Sequence, residues 1–340
     1  MAFTIGRGTN ISHWLSQSKA RGAQRRAFFT QEDVKRIAGW GLDHLRLPMD
    51  EEQMWLAGEV GEQKRDAEAF DLLGSAMDWC VAAGLKVVAD LHILRAHHFM
   101  DKNPPLYTDE REAQRFAWLW RDMAKFLGGT STDQLAYELM NEPVAADHAD
   151  WNRVYKYPYR ALREIEPGRT IVLGSNRWSN ALEFDTLEIP EGDPALILTF
   201  HFYLPMLVTH YKAPWVPQIA QYTGPNQYPG RPIAEAEWAK LPEKMQGELA
   251  KDNAPYDAAA MERDIAKPLA AGKRYGYPLY CGEFGVVNYT PDPVRVRWYR
   301  DLRAVLAKHK IAWGNWDYKG EFGLVDKEGR TTGVHTGLLG

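Results

Sequence analysis

The stretch "QLAYELMNEP", from Gln134 to Pro143, begins as a short apolar run and closes on an amide, a carboxylate and a proline. A nearly continuous apolar run of this length is typical of a strand in a parallel sheet that is covered on both faces. Asn141 and Glu142 stand at its end, just before the proline that stops it. Because a buried carboxylate is costly unless it has a partner or a chemical task, the stretch predicts a buried strand that delivers a functional group.

Similar runs recur along the chain and alternate with amphipathic stretches of helical period. They are "FTIGRGTN" (3–10), "DHLRLP" (43–48), "LKVVADLH" (85–92), "TIVLGSN" (170–176), "ALILTFHFY" (195–203), "PLYCGEFG" (278–285) and "AWGNWDY" (312–318). Eight strands that alternate with helices over about 300 residues predict an α/β fold, a (β/α)₈ TIM barrel in a single domain that spans 1–340. A doubly wound open sheet is the alternative. It is disfavoured because "GRGTN" lacks the third glycine and the following helix of a dinucleotide-binding turn.

The connection after the sixth strand, about 204–253, is too long for an ordinary loop of such a barrel. It carries the aromatic residues Tyr211, Trp215, Tyr222, Tyr228 and Trp238. We therefore expect an insertion on the substrate side of the barrel. The chain after the last strand is short, so we expect the final barrel helix to be reduced.

Composition excludes several classes of function. The net charge of −4 over 340 residues leaves no basic field for nucleic acid or an anionic membrane. No apolar run is long enough to cross a bilayer, and the N-terminus lacks the basic and apolar regions of a signal peptide. The 13 Trp and 16 Tyr exceed the needs of a core, so some should line a surface on which sugar rings can stack. Cys80 and Cys281 are expected to be free thiols, and we expect a monomer.

Polar and aromatic residues collect at the ends of the predicted strands, where TIM barrels place their chemistry. They are Arg46, Asp90, His92, Asn141, Glu142, Asn176, Trp178, His201, Tyr203, Glu283 and Trp316. If the barrel closes, these residues converge on one pocket. Glu142 and Glu283 would then form a carboxylate pair across its mouth. A separation of roughly 5–5.5 Å predicts a retaining glycosidase, and roughly 6.5–9.5 Å an inverting one.

The motifs at these strand ends resemble glycoside hydrolase family 5, the cellulase family of retaining β-glycosidases. "LMNEP" and "CGEFG" carry the resemblance, with "LRLP", "ADLH", "HFY" and "NWDYKGEFG" in the same order. The resemblance extends from about Gly6 to Gly340. It implies a (β/α)₈ barrel that cleaves β-linked glucan by double displacement, most closely an endo-β-1,4-glucanase. It also implies a polysaccharide or oligosaccharide substrate, no metal or cofactor, and a secreted or periplasmic location.

The resemblance assigns the two carboxyl groups different roles. Glu142 looks like the general acid/base and Glu283 like the nucleophile. Arg46 and the Tyr203 hydroxyl would favour the charged form of Glu283. His201 would orient Glu142. The negative charge of Glu283 would help to keep Glu142 protonated until the nucleophile is glycosylated.

Four further residues would bind the sugar at the cleavage point. By the same resemblance, Asn141 would bond its 2-hydroxyl and His92 another hydroxyl. Trp316 would form the floor on which the sugar stacks, and Trp178 would add a further aromatic face. Many relatives have two consecutive histidines after the third strand, whereas Ile93 follows His92 here. One sugar contact is therefore unassigned.

Several alternatives follow from the same residues. His97 and His98 could supply the missing sugar contact, or could join Asp90 and His92 in a metal-dependent hydrolase. A non-catalytic carbohydrate-binding barrel would require the loss of one carboxylate, and both are present. Within the resemblance, a β-mannanase and an exo-β-1,3-glucosidase stay open, because the loops around the pocket decide the substrate.

Overall fold

Eight parallel strands close into a barrel in sequence order in the computed structural model, which describes residues 2–59 and 61–340. Strand β1 pairs with both β2 and β8, so the sheet has no free edge. The strands are β1 Arg7–Asn10, β2 His44–Asp50, β3 Lys86–Ile93, β4 Leu135–Glu138, β5 Thr170–Gly174, β6 Leu196–Phe202, β7 Leu279–Phe284 and β8 Ala312–Asn315. The predicted (β/α)₈ barrel is confirmed.

Helices of very different length connect the strands. They are α1 Gly22–Phe28, α2 Gln31–Gly39, α3 Glu51–Met54, α4 Ala67–Ala82, α5 Glu110–Leu127, α6 His148–Val154, α7 Lys156–Ile165, α8 Asn176–Ser179, α9 Met206–Thr209, α10 Pro217–Ala220, α11 Glu235–Trp238, α12 Glu243–Leu249, α13 Ala258–Asp264, α14 Ala266–Tyr275, α15 Asp292–Lys308 and α16 Gly333–Leu339. Two 3₁₀ helices lie at Pro105–Tyr107 and Ala181–Thr186. The long helices bury one apolar stripe each; in α5, Phe116, Leu119 and Met123 are fully buried.

The interior of the barrel is apolar at one end and polar at the other. Val88, Ala136, Val172 and Tyr280 form one buried cluster near the start of the strands, and Phe3 packs onto it. Side chains two positions apart on a strand point the same way, so the residues that follow these on β3 and β4 also face inward. They are Asp90 and Glu138, both completely buried. The strand period thus places charged groups directly above an apolar plug.

The long connection between β6 and β7 contains α9 to α14. Its first part has a hydrophobic cluster of its own, built from Leu207, Tyr211, Ile219, Tyr222, Ile233 and Leu249. Tyr211 and Tyr222 are therefore structural residues of the insertion. Trp215 differs from them, because 38% of its surface is exposed.

Two strand-end details differ from the sequence expectations, and a third agrees with them. Strand β2 continues past Arg46 to Asp50, so Arg46 lies inside the barrel and not at its rim. Strand β4 ends at Glu138, so Asn141 and Glu142 lie in the loop beyond it. After β8, α16 is only seven residues long and packs on α15, as the short C-terminal region predicted.

Cys80 and Cys281 are both buried free thiols. Within 2–59 and 61–340, no helix combines the length and the apolar character that crossing a bilayer requires.

Candidate active site

The buried guanidinium of Arg46 contacts three carboxyl groups at once. It forms a two-pronged pair with Glu138, with Nε 2.7 Å from Oε2 and Nη2 2.9 Å from Oε1. Nη1 donates to Oε1 of Glu283 at 2.6 Å, and Nη2 lies 3.0 Å from Oδ2 of Asp90. Arg46 and its partners Glu138 and Asp90 are fully buried. A planar fork of donors is required for this geometry, which a lysine could not reproduce.

Two asparagines complete the shell around Arg46. Its Nη1 donates to Oδ1 of Asn10 at 2.9 Å, and Nη2 to Oδ1 of Asn141 at 3.0 Å. Asn10 uses its own NH₂ group to bond the carbonyl of Gly282 at 3.0 Å, which ties β1 to β7. Because the Asn141 oxygen accepts from Arg46, the orientation of its amide is fixed. Its NH₂ group is then the part available to a ligand.

Glu142 and Glu283 face each other at the mouth of the barrel. One oxygen of each, with one nitrogen of His201, form a group whose atoms all lie within 4.8 Å of one another. His201 Nδ1 lies 2.9 Å from Glu142 Oε1 and 3.6 Å from Glu283 Oε2. The Tyr203 hydroxyl donates to Oε2 of Glu283 at 3.0 Å. The two glutamates therefore share one small space although far apart in sequence.

The two glutamates have different electrostatic surroundings. Burial raises the pKa of Glu142 to about 8, the Arg46 cation opposes this rise only in part, and the nearby carboxylates of Asp90 and Glu138 add to it. Burial also raises the pKa of Glu283, but His201 and the Arg46 cation counter this rise. Glu283 touches a cation and Glu142 does not. Glu142 is therefore the group that keeps its proton, and Glu283 ionises first.

Repulsion between these two carboxyl groups contributes to the rise for Glu283. Arg46 was expected to favour the charged form of Glu283, and it does so, but burial outweighs it. Burial is the largest influence on the pKa of His201 and lowers it, whereas the charge of Glu283 opposes this shift.

The backbone of Glu142 adopts a left-handed conformation, with φ +46°. This conformation costs about 1–2 kcal/mol for a residue with a side chain, so its surroundings must hold it. The amide of Asn141 donates to the Leu91 carbonyl at 3.0 Å, and the amide of Val144 to the Tyr107 hydroxyl at 3.0 Å. Strain of this kind is common where a side chain must be aimed at a site.

His92 and Trp316 lie side by side at the floor of the same space. The Nδ1 of His92 is 2.7 Å from Oδ2 of Asp90, which fixes the imidazole ring. The ring lies parallel to Trp316, with centroids 5.4 Å apart and planes 8° apart. Trp316 also clusters with Phe322 and the partly buried Tyr203. A flat apolar surface therefore adjoins the carboxylate pair.

Trp178 stands apart from this group. It is 46% exposed and lies on α8, where Arg177, Trp178 and Ser179 are all left-handed, so the segment is a tight turn and not a regular helix. Its indole N–H donates to the carbonyl of Phe99 at 2.8 Å. Trp178 thus links the loops after β3 and β5 at the rim.

The histidines after β3 do not form the alternative metal site. Both ring nitrogens of His97 are buried, and the ring packs edge-on against Tyr107 at 5.8 Å. His98 stacks on Phe99. In the part of the chain that the structure describes, the group close enough to hold a metal ion is Glu142, His201 and Glu283, whose atoms already bond one another or Arg46.

Eight of the nine residues predicted for the site converge here; the exception is Trp178. Sequence reasoning missed Glu138 and Asn10, and it noted Asp90 without assigning it to Arg46. The signal was present, because Glu138 lies within an otherwise apolar strand and Asn10 ends the first one. A buried arginine requires anionic partners, which Glu138 and Asp90 supply together with Glu283, whereas Asn10 supplies a neutral acceptor.

Comparison with known proteins gives a consistent result across the chain. The family model described as cellulase (glycosyl hydrolase family 5) matches residues 7–322. Endoglucanase C of Acetivibrio thermocellus is 30% identical over 314 residues, covering 92% of this chain and 90% of that protein. Cellodextrinase A of Ruminococcus flavefaciens is 29% identical over 313 residues, covering 91% and 84%.

Solved structures share the fold. An endoglucanase superposes with a TM-score of 0.78 at 21% identity, covering 99% of this chain and 97% of the other. Cel5A of Thermotoga maritima, in a mutant form with cellobiose, gives a TM-score of 0.78 at 22% identity with the same coverage.

Arg46→Met should destabilise the protein by about 3–5 kcal/mol, because three buried carboxyl groups lose their cation. The pKa values of these carboxyl groups in the folded state would rise. The loss of unfolding free energy should therefore be smaller at pH 5 and grow towards pH 8. Urea unfolding at both pH values measures this loss of stability. Arg330→Met, which removes an exposed arginine, is the matched control and should leave the stability nearly unchanged. A loss below 1 kcal/mol for Arg46→Met would contradict the role given to this cation.

Proposed function

The chain belongs to glycoside hydrolase family 5, the cellulase family, and from this membership we propose that it is an endo-β-1,4-glucanase in which Glu142 is the acid/base and Glu283 the nucleophile. The observation that carries the proposal is the placement of one oxygen of each carboxyl group within 4.8 Å of the other. Retaining glycosidases hold their carboxyl groups about 5–5.5 Å apart, whereas inverting enzymes leave space for a water molecule. The distance therefore supports double displacement.

Glu283 has the surroundings that a nucleophile needs. The Arg46 cation binds Oε1 and the Tyr203 hydroxyl binds Oε2, so the carboxylate is held rigidly and its charged form is supported. Attack on the anomeric carbon forms a glycosyl ester and breaks the bond to the leaving oxygen. The negative charge of Glu283 disappears in this step.

Glu142 has the surroundings of an acid that later becomes a base. With a pKa of about 8 it carries a proton at neutral pH, and it passes this proton to the leaving oxygen. Once Glu283 is esterified, its charge no longer opposes the ionised form of Glu142. It can then take a proton from the water that hydrolyses the ester. His201 holds the side chain in place through both steps.

The remaining residues would bind the sugar that is cleaved. The NH₂ group of Asn141, whose oxygen accepts from Arg46, would donate to the 2-hydroxyl, an interaction that strengthens in the transition state. Trp316 would form the floor beneath the ring, beside His92. Trp178, exposed at the rim, would contact sugars farther along the chain.

The choice of β-1,4-glucan rests on the relatives. Proteins named endoglucanase and cellodextrinase match more than nine tenths of this chain at 29–30% identity. Similarity to a glucan 1,3-β-glucosidase of Aspergillus clavatus covers only 26% of the chain. A β-linked glucan is thus the best supported substrate, and such a polymer would be met outside the cytoplasm.

A product profile tests the substrate directly. We expect internal cleavage of cello-oligosaccharides and soluble β-1,4-glucan, with slower or no hydrolysis of mannan and laminarin. Proton NMR of the first products should show the β-anomer before mutarotation. Faster hydrolysis of mannan would reassign the substrate, and an α-anomer as first product would reject double displacement.

Replacing each carboxyl group should affect a different step. Glu283→Ala should abolish hydrolysis without loss of fold. Glu142→Ala should slow hydrolysis of natural oligosaccharides by about 10²–10⁴-fold. On an aryl glycoside with a good leaving group, azide should accelerate Glu142→Ala and yield the β-glycosyl azide. Near-normal rates in both variants would show that the roles are wrong.

The pH dependence of kcat/KM should be bell-shaped. Activity should fall as the pH rises through about 8, where Glu142 loses its proton. It should also fall at acid pH, through a pKa above the ordinary value for a glutamate, where Glu283 gains one. In Glu142→Gln the basic limb of the pH profile should vanish for an activated aryl glycoside, because its leaving group departs without needing a proton. A basic limb that persists in this variant would belong to another group.

A further inference from the structure

Gln17 reaches the floor of the site from the loop between β1 and α1. Its side-chain nitrogen lies 3.1 Å from Nε2 of His92, and its own surface is only partly buried. Through His92 it adjoins Trp316, the parallel ring beside it. Gln17 is therefore placed at the edge of the space in which a sugar would lie.

The hydrogen bonds around His92 fix which way the Gln17 amide points. Nδ1 of His92 faces the carboxylate of Asp90 at 2.7 Å and must donate to it. In the neutral imidazole Nε2 is then an acceptor, and only the NH₂ group of Gln17 can serve it. Gln17 thus donates to His92 and His92 to Asp90, whose carboxylate also faces the Arg46 cation. This arrangement leaves the Gln17 carbonyl oxygen and one N–H without a partner among the described residues.

The backbone holds Gln17 in this position at a cost. Its φ is +50°, in the left-handed region. Its amide N–H donates to Oδ2 of the buried Asp50 at 2.6 Å, which anchors the loop to the end of β2. Two independent contacts, one from the backbone and one from the side chain, therefore hold a strained residue at the site. Strain that is held in this way is common at ligand contacts.

We infer that Gln17 is a sugar-binding residue, whose free carbonyl oxygen and N–H bond adjacent hydroxyls of the glycosyl unit that stacks on Trp316. This inference rests on the proposed function. It supplies the contact that the missing second histidine leaves open after His92. The ligand should be a neutral pyranoside, because a carboxamide offers one donor and one acceptor, which matches two neighbouring hydroxyls. A uronic acid is disfavoured by the carboxyl groups of Asp50, which contacts the Gln17 backbone, and Asp90, which contacts His92.

The role of Gln17 is best tested by combining a substitution of Gln17 with substrates that lack single hydroxyl groups. With aryl β-cellobioside, Gln17→Ala should lower kcat/KM about tenfold, the effect of losing a hydrogen bond that leaves a polar group unpaired. A series of analogues should each lack one hydroxyl on the sugar next to the aryl group. For the analogue that lacks the hydroxyl bonded by Gln17, Gln17→Ala should lower kcat/KM only slightly. A purely structural defect would lower kcat/KM equally for all substrates.

The isosteric Gln17→Glu removes the donor to His92 without changing the size of the side chain. Its loss of kcat/KM should be at least as large as that of Gln17→Ala, and it should grow with pH, because Nε2 of His92 can face a carboxylate only when protonated. Gln24→Ala, at an exposed glutamine of α1, is the matched control and should behave like the wild type. Melting temperatures establish that the variants are folded.

The outcomes separate this inference from the proposed function. Wild-type rates in both Gln17 variants, or an equal loss on every deoxygenated analogue, would overturn the role of Gln17 and leave the glucanase assignment intact. A wild-type protein that hydrolyses no β-glycoside would overturn the proposed function and this inference with it.

Discussion

Three carboxyl groups share the guanidinium of Arg46 inside the barrel, and the geometry of the site follows from this sharing. The cation lies on β2, and its carboxyl partners Asp90, Glu138 and Glu283 lie on β3, β4 and β7. A planar fork that bonds all three fixes the relative positions of side chains from strands that are not all neighbours. The cation can be buried because it is paired, since an unpaired charge at this depth would cost several kcal/mol.

The same cation creates a difference between two otherwise identical residues. Glu283 contacts Arg46 directly, whereas the direct partner of Glu142 is the imidazole of His201. Burial raises the pKa of both glutamates and the Arg46 cation opposes the rise in both, but only Glu283 is in direct contact with that cation. Two carboxyl groups a few ångströms apart can therefore hold different protonation states at one pH, which is the condition for acid and nucleophile to act together.

The rigid barrel also supports strained residues at its mouth. Gln17, Glu142 and Trp178 are all left-handed, and they follow β1, β4 and β5. Hydrogen bonds to the scaffold or to a neighbouring loop hold two of them: Asp50 holds Gln17, and the Phe99 carbonyl holds Trp178. Loops beyond the strand ends can adopt conformations that a sheet cannot, and the strands beneath supply the fixed partners. The side chains that would meet a sugar are thus aimed by local strain that the fold stabilises.

Much of this protein could be predicted from local patterns alone. Eight apolar runs that alternate with amphipathic stretches determined the barrel, and polar residues that end those runs, such as Glu142 and Glu283, indicated the site. Hydrophobic periodicity and strand ends are properties of short segments, so a single sequence displays them. Only the tertiary structure decided that Glu138 and Asn10 bond Arg46, that Trp178 stands at the rim, and that Gln17 bonds His92. Those contacts depend on the tilt and register of strands and on loop conformations, which bring residues together from positions that no local pattern relates.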